Sequence, residues 1–225
     1  MFGRNVLVGN IISGNIATGN GGGICIRVGS TQLSGNIIAA NTTSGNGGGV
    51  YLKDYNHVAM SNTVVVDNQA SGRGSGIFID RSSVCSLHST IARNIGNEGV
   101  YITCAMPPCS EVTLTNTILV SHPVGIEITD SNTATVNSIL WYNTPIPISQ
   151  SIMATVYVEN QYTGNPLFAT DGYHLMAGSA ALDKGRDVGI DKDIDGEPRP
   201  AGAGYDLGAD ELWYTLYLPI IVRSH

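Results

Sequence analysis

The sequence predicts an all-β parallel solenoid. Two sets of short apolar runs recur together at a near-constant period, and no stretch shows a helical repeat. The first run starts at Ile11, Ile37, Val64, Ile91, Ile118 and Ile139, in steps of 26, 27, 27, 27 and 21 residues. The second starts at Ile24, Val50, Ile77, Val100 and Ile126, in steps of 26, 27, 23 and 26 residues. Markers that repeat together at such a period mean coils stacked on one another, each burying the apolar face of its neighbour.

Each coil reads as three short strands. Val58-Ala59-Met60, Thr63 to Val66 and Ile77-Phe78-Ile79 make up one coil. Thr31-Gln32-Leu33, Val84 to Leu87, Val112-Thr113-Leu114 and Thr135-Val136 are the equivalents of its first strand. Coils of one hand stack their strands in parallel, and buried parallel strands favour Val and Ile. The repeats span 1–168 and stop near Gly164. A Gly-rich, acidic region over 169–212 is expected to cap the open end of the last coil, with an apolar tail over 213–225.

Two columns of turn residues punctuate the coils. Three residues after an apolar position stand Asn15, Asn41, Asn68, Asn94 and Asn143, with His122 interrupting the series. Asn tolerates the left-handed backbone and bonds its neighbours at turns. Stacked coil on coil, these amides are expected to form a ladder. Before the second run stand Gly22-Gly23, Gly48-Gly49, Gly74-Ser75-Gly76, Gly99 and Gly125, where a bend with positive φ is expected.

Composition bounds the function. The chain has 225 residues with 42% apolar and 13% charged residues and a net charge of −7. That balance argues against disorder and against a phosphate backbone as partner. Nine acids and four bases lie between Asp183 and Glu211, so the repeats are nearly neutral. No apolar run is long enough for a transmembrane helix. Met1 leads straight into a repeat without a visible signal peptide, so the sequence is expected to be the C-terminal part of a longer exported protein or an incomplete gene product. The chain is expected to be a monomer.

At the Asn and Gly columns the repeats resemble those of polymorphic outer-membrane proteins. They are also similar to the wider right-handed, single-stranded parallel β-helix superfamily of pectate lyase-like folds. The ordered motifs Asn165-Pro-Leu-Phe168, Gly178-Ser-Ala-Ala-Leu-Asp183, Asp195-Gly-Glu-Pro-Arg199 and Asp206-Leu-Gly-Ala-Asp-Glu211 resemble the choice-of-anchor Q type of C-terminal domain. These resemblances imply a bacterial extracellular or cell-surface protein and no particular reaction. The ending Leu218-Pro-Ile-Ile-Val-Arg223 resembles sorting or anchoring signals of exported proteins; a last strand packed on the cap is the other reading.

Three candidate sites follow. If Ile24, Val50, Ile77, Val100 and Ile126 point inward, then Cys25, Tyr51, Phe78, Tyr101 and Glu127 form an outward stripe, with Lys53 and Asp80 beside it. An exposed aromatic stripe suits a sugar ring or a partner surface; the same residues can instead stabilise the sheet by cross-strand pairing, Lys53 and Asp80 forming a surface ion pair. Asp191, Asp193 and Asp195 have the spacing of a calcium loop, without the closing acid of an EF-hand; otherwise they are structural, with Asp195 pairing with Arg199. Cys104 and Cys109 bracket Pro107-Pro108 and are expected to close a small disulfide loop. The repeat acids show no pair suited to acid–base chemistry, so no catalytic residue is assigned and no cofactor beyond calcium is expected. The sequence therefore points to a non-catalytic surface module, an adhesin-like or glycan-binding stalk presenting polysaccharide- or protein-binding side chains. A polysaccharide lyase or glycoside hydrolase, and a purely structural spacer, are the alternatives.

Overall fold

A computed structural model describes residues 4–213. Its elements are all strands, and no helix among the described residues is long and apolar enough to cross a membrane. The expected tail lies outside the described residues except for Trp213. The strands pair only in parallel, each with its equivalent about one coil away, and build a solenoid of about six turns with three faces.

The register shows which side chains stack. On the first face the inward column runs Leu33, Met60, Ser86, Leu114, Val136 and Val158. On the second it runs Ile12, Ile38, Val65, Ile91, Leu119 and Trp141. On the third it runs Ile24, Val50, Ile77, Val100, Ile126 and Ile148. These columns fill one continuous core between the faces. A fully buried Ile or Leu is worth about 1.5–3 kcal/mol, so the repeated apolar runs hold the coils in register.

The amide ladder forms, with one change of register. The backbone N–H and Nδ2 of Asn15 donate to Asn41 Oδ1, those of Asn41 to Asn68 Oδ1, and those of Asn68 to Asn94 Oδ1, at 2.8–3.0 Å. Each Nδ2 from Asn41 onward also reaches back to a carbonyl of the preceding coil: Ile12, Ile38 and Val65. His122 continues the column, accepting from Asn94 at Nε2. Asn143 does not belong to it. That residue is exposed at a left-handed corner with φ 48°, stacking with Arg93 and Ser121, and the buried residue at the ladder position is Thr144. The reason is that Trp141, not Leu140, pairs with inward Leu119, so the count of three starts one residue later.

The glycine column is needed mainly for space; of the glycines named from the sequence, Gly74 has the expected positive φ. Positive φ falls at Gly21, Gly47 and Gly74, whereas Gly23, Gly49 and Gly76 sit against backbone. A Cβ on Gly49 would stand 2.8 Å from the Gly76 carbonyl oxygen, 2.6 Å from Val65 Cγ1 and 3.1 Å from the ladder amide of Asn68. The glycines and the Asn ladder thus face each other inside the same corner.

His122 makes the ladder pH-sensitive. Burial holds its imidazole at about 4, helped by the charge of Arg93. The unfolded chain takes up a proton near 6.5 and the native chain does not, so stability falls as pH drops from 6.5 towards 4. His122→Asn, which restores the ladder residue, is expected to recover up to about 3 kcal/mol at pH 4 and to change little at pH 7.5. Urea denaturation of both chains across that range checks it; parallel pH profiles would refute the assignment.

The C-terminal region covers apolar surface, but not where the sequence places it. The residues of the second face that point outward include Val64, Val66, Ala92, Ile118, Val120 and Leu140, and they are buried under Leu175, Ala181, Leu207 and Ala209. The region after the last strand, Thr155–Thr163, lies along the flank of the stack as a strap rather than over the end of the last coil. Its bonds run back along the coils: Gly208 N–H to the Asn116 carbonyl, Arg186 N–H to Asn116 Oδ1, Ala209 N–H to Thr90 Oγ1, and Asn62 Nδ2 to the Lys192 carbonyl. The cause is in the strands themselves. Val64-Val65-Val66 is apolar on both sides, so one side must be covered from outside.

Candidate functional site

The expected aromatic stripe forms in register on the third face, as Tyr51, Phe78 and Tyr101. It is not an exposed platform. Parallel strands bring like side chains face to face, and the rings stack with centroids 5.0 and 5.5 Å apart and planes within 18°. Tyr51 is 2% and Phe78 7% exposed. The guanidinium of Arg73 lies 5.2 Å over the Tyr101 ring. The ring faces are therefore occupied by one another and by Arg73, and only Tyr101 is part-exposed.

The charged residues beside the stripe are paired. Lys53 Nζ lies 3.4 Å from Asp80, its strand neighbour. Arg73 bridges Glu98 and Glu127, the latter at 3.5 Å. These two acids come from adjacent coils, a pairing that sequence spacing did not reveal. Glu98 is fully buried. Burial alone would raise its carboxyl, but Asn97 Nδ2, the Gly74 N–H and Arg73 hold it below the ordinary range. Glu127 moves the other way, raised by burial and by the charge of Glu98. Opposed shifts are a signature of acid–base sites. Here the oxygens of Glu98 face its protein donors and not solvent, so the pair anchors Arg73 over the stack.

A concave polar surface lies instead on the first face. Its outward column runs Gln32, Ala59, Cys85, Thr113, Thr135 and Tyr157, flanked by Ser30, His57, Ser83 and Glu111. Short side chains at Ala59 and Ser83 leave a hollow of about 370 Å³ between Arg4 and Gln32 on one side and His57 and Cys85 on the other. Arg4 donates to Gln32 Oε1 at 2.9 Å, closing one wall. A second hollow of about 230 Å³ shares His57 and Ser83 and extends to Arg81, Glu111 and Pro108. Its far wall is the loop closed by the Cys104–Cys109 disulfide, which forms as expected. Cys25 and Cys85 are free and exposed. Sequence reading missed this groove because its signal is the absence of bulk at two strand positions.

Asp191, Asp193 and Asp195 do not form a three-ligand cluster among the described residues. Asp193 is buried and organises its turn: Oδ1 accepts from the Asp195 and Glu197 N–H groups and Oδ2 from Glu211 N–H. Asp195 turns towards His174, 2.6 Å away. Nor does Asp195 pair with Arg199. That guanidinium is fully buried against Glu211 at 2.7 Å and donates to the Gly208 and Ala209 carbonyls.

A family model described as a right-handed β-helix region matches residues 2–106. Comparison with curated proteins and with solved structures yields no match. The match and the parallel three-faced stack agree on the fold, a right-handed parallel β-helix.

Proposed function

We propose that this chain is a non-catalytic, extracellular or cell-surface β-helix module that binds a polysaccharide along the first face. The observation that carries the reading is the groove over Ala59 and Ser83, open to solvent, lined by Arg4, Gln32, His57 and Ser83 and extended by Arg81 and Glu111. Such a surface offers hydrogen-bonding groups at successive strand spacings of about 4.8 Å to an elongated neutral or weakly charged chain. The surface location is supported by the resemblance of the C-terminal motifs to choice-of-anchor Q domains and of the repeats to polymorphic outer-membrane proteins, and by the disulfide, which belongs to an oxidising compartment. The full burial of Glu98 in the Arg73–Glu98–Glu127 cluster, its oxygens held by Arg73, Gly74 and Asn97, favours binding over hydrolysis.

Ala59→Trp fills the hollow without touching the core, since Ala59 is exposed. On an array of plant and microbial polysaccharides the native chain is expected to bind, and Ala59→Trp to lose about tenfold or more in affinity with an unchanged melting temperature. Equal binding by both chains would move the site elsewhere. Binding to no glycan would leave a protein-binding or spacer role, and release of unsaturated or reducing-end products would make the module an enzyme.

A further inference from the structure

We propose that the strap carries a divalent-cation site of the zinc class, built from His174 Nε2, Asp195 and Asp210. One ligand atom from each of these residues lies within 4.8 Å of the others. Three turns of the strap, far apart in sequence, bring them together. They line a hollow of about 280 Å³ with Glu197 and Trp213 at its margin, which gives an ion a path from solvent.

Each group is presented as a ligand should be. Asp171 Oδ2 lies 2.6 Å from His174 Nδ1, and the same carboxylate's other oxygen accepts from the Tyr173 and His174 N–H groups. A carboxylate on Nδ1 fixes the ring, the usual outer partner of a ligating histidine, and Nε2, bonded to Asp195 Oδ2 at 2.6 Å, would exchange that contact for the metal. Asp210 is only 5% exposed, and one of its oxygens is fixed by the Leu175 N–H at 2.6 Å. Across the hollow its neighbour is the His174 ring, and an ion held between them would take over from the ring as the counter-charge of the buried carboxylate. Asp195 is half-exposed and free to adjust. Tetrahedral ligands at zinc distances stand about 3.3 Å apart. His174 and Asp195, now at 2.6 Å, need to separate by less than an ångström, and the widest contact of the cluster, within 4.8 Å, needs to close by up to about 1.5 Å.

The donor set selects the ion. Calcium takes six to eight hard oxygens, whereas one imidazole with two carboxylates and an open position suits zinc and its neighbours. The site is distinct from the calcium loop that the sequence suggests, because Asp193 is occupied by backbone donors and only Asp195 is common to both.

The test uses the full chain carrying Cys25→Ser and Cys85→Ser, which removes the free thiols, stripped with chelator and titrated calorimetrically with zinc chloride and, separately, calcium chloride. One zinc ion per chain is expected. His174→Gln and Asp195→Asn are each expected to weaken zinc binding about 100-fold, and Asp171→Asn about 10- to 100-fold. Calcium is expected to give no heat at this site. X-ray absorption of the zinc-loaded parent, which needs no variant, is expected to show a nitrogen and oxygen shell. No zinc binding up to about 1 mM, affinity unchanged in His174→Gln, or calcium binding indifferent to His174 would each overturn the assignment.

Discussion

Arg199→Ala is expected to destabilise the protein by about 3–5 kcal/mol and to release the strap from the second face. Arg199 and Glu211 are both fully buried and lie 2.7 Å apart. Removing one partner of a buried pair leaves the other charge uncompensated, and the cost is of that size. The damage is not confined to the pair. Arg199 also donates to the Gly208 and Ala209 carbonyls, in the segment whose N–H groups bond Asn116 and Thr90 of the solenoid. Glu211 in turn accepts from the Ala201 and Asp206 N–H groups. The ion pair is therefore the knot that ties the strap's turns to one another and to the coils. Burial pushes the guanidinium below its usual value, and Glu211 and Asp193 pull it back.

The measurement is equilibrium denaturation together with hydrogen exchange. Exchange is expected to rise over Leu175, Ala181 and Leu207 while Val50–Ser61, which runs from the third face into the first, and the third-face strand Ile77–Asp80 stay protected. A uniform rise along the chain would mean that strap and solenoid unfold as one unit. Arg199→Met with Glu211→Leu separates the charge effect from packing. That double change removes both charges at once and is expected to be much milder than Arg199→Ala. Equal losses would place the cost in the lost backbone contacts and not in the orphaned carboxylate.

What the sequence made legible follows from what stacks. Identical positions on successive coils meet their own kind, so the period, the three strands and the inward columns could be read from spacing alone. The ladder was readable for the same reason through Asn94. It was misread at Asn143 because Leu140 is apolar yet faces outward, and only the strap explains an apolar residue there. The strap's position was hidden by the same ambiguity, since a run such as Val64-Val65-Val66 does not tell which of its sides meets the core. The stripe was readable as a column, but burial of Tyr51 and Phe78 is a property of the stacked rings and not of any one residue. The groove and the His174 cluster were least legible. One is made by small side chains, the other by turns with no repeat to align them.

Asn68→Ala is expected to cost about 4 kcal/mol. Asn68 is fully buried and uses both ends of its side chain. Its Oδ1 accepts from the N–H and Nδ2 of Asn41, and its Nδ2 donates to the Ile38 carbonyl and to Asn94 Oδ1. Truncation thus strips partners from groups on both neighbouring coils, each buried orphan costing about 1–3 kcal/mol, with water in the vacated space offsetting part of it. Asn68→Asp keeps the acceptor and, while protonated, a single O–H donor in place of the two N–H donors, so it is expected to fall between alanine and the native residue at low pH and to worsen as the carboxyl ionises and loses that donor. The contrast is Asn143→Gly. That residue is exposed with positive φ, where glycine is at ease, and a change within about 0.5 kcal/mol is expected. Urea midpoints for the three variants decide between a ladder that ends at His122 and one that runs on through the last coil. A loss at Asn143 as large as at Asn68 would restore the longer ladder, and a small loss at Asn68 would mean that the column marks the turns without holding the coils together.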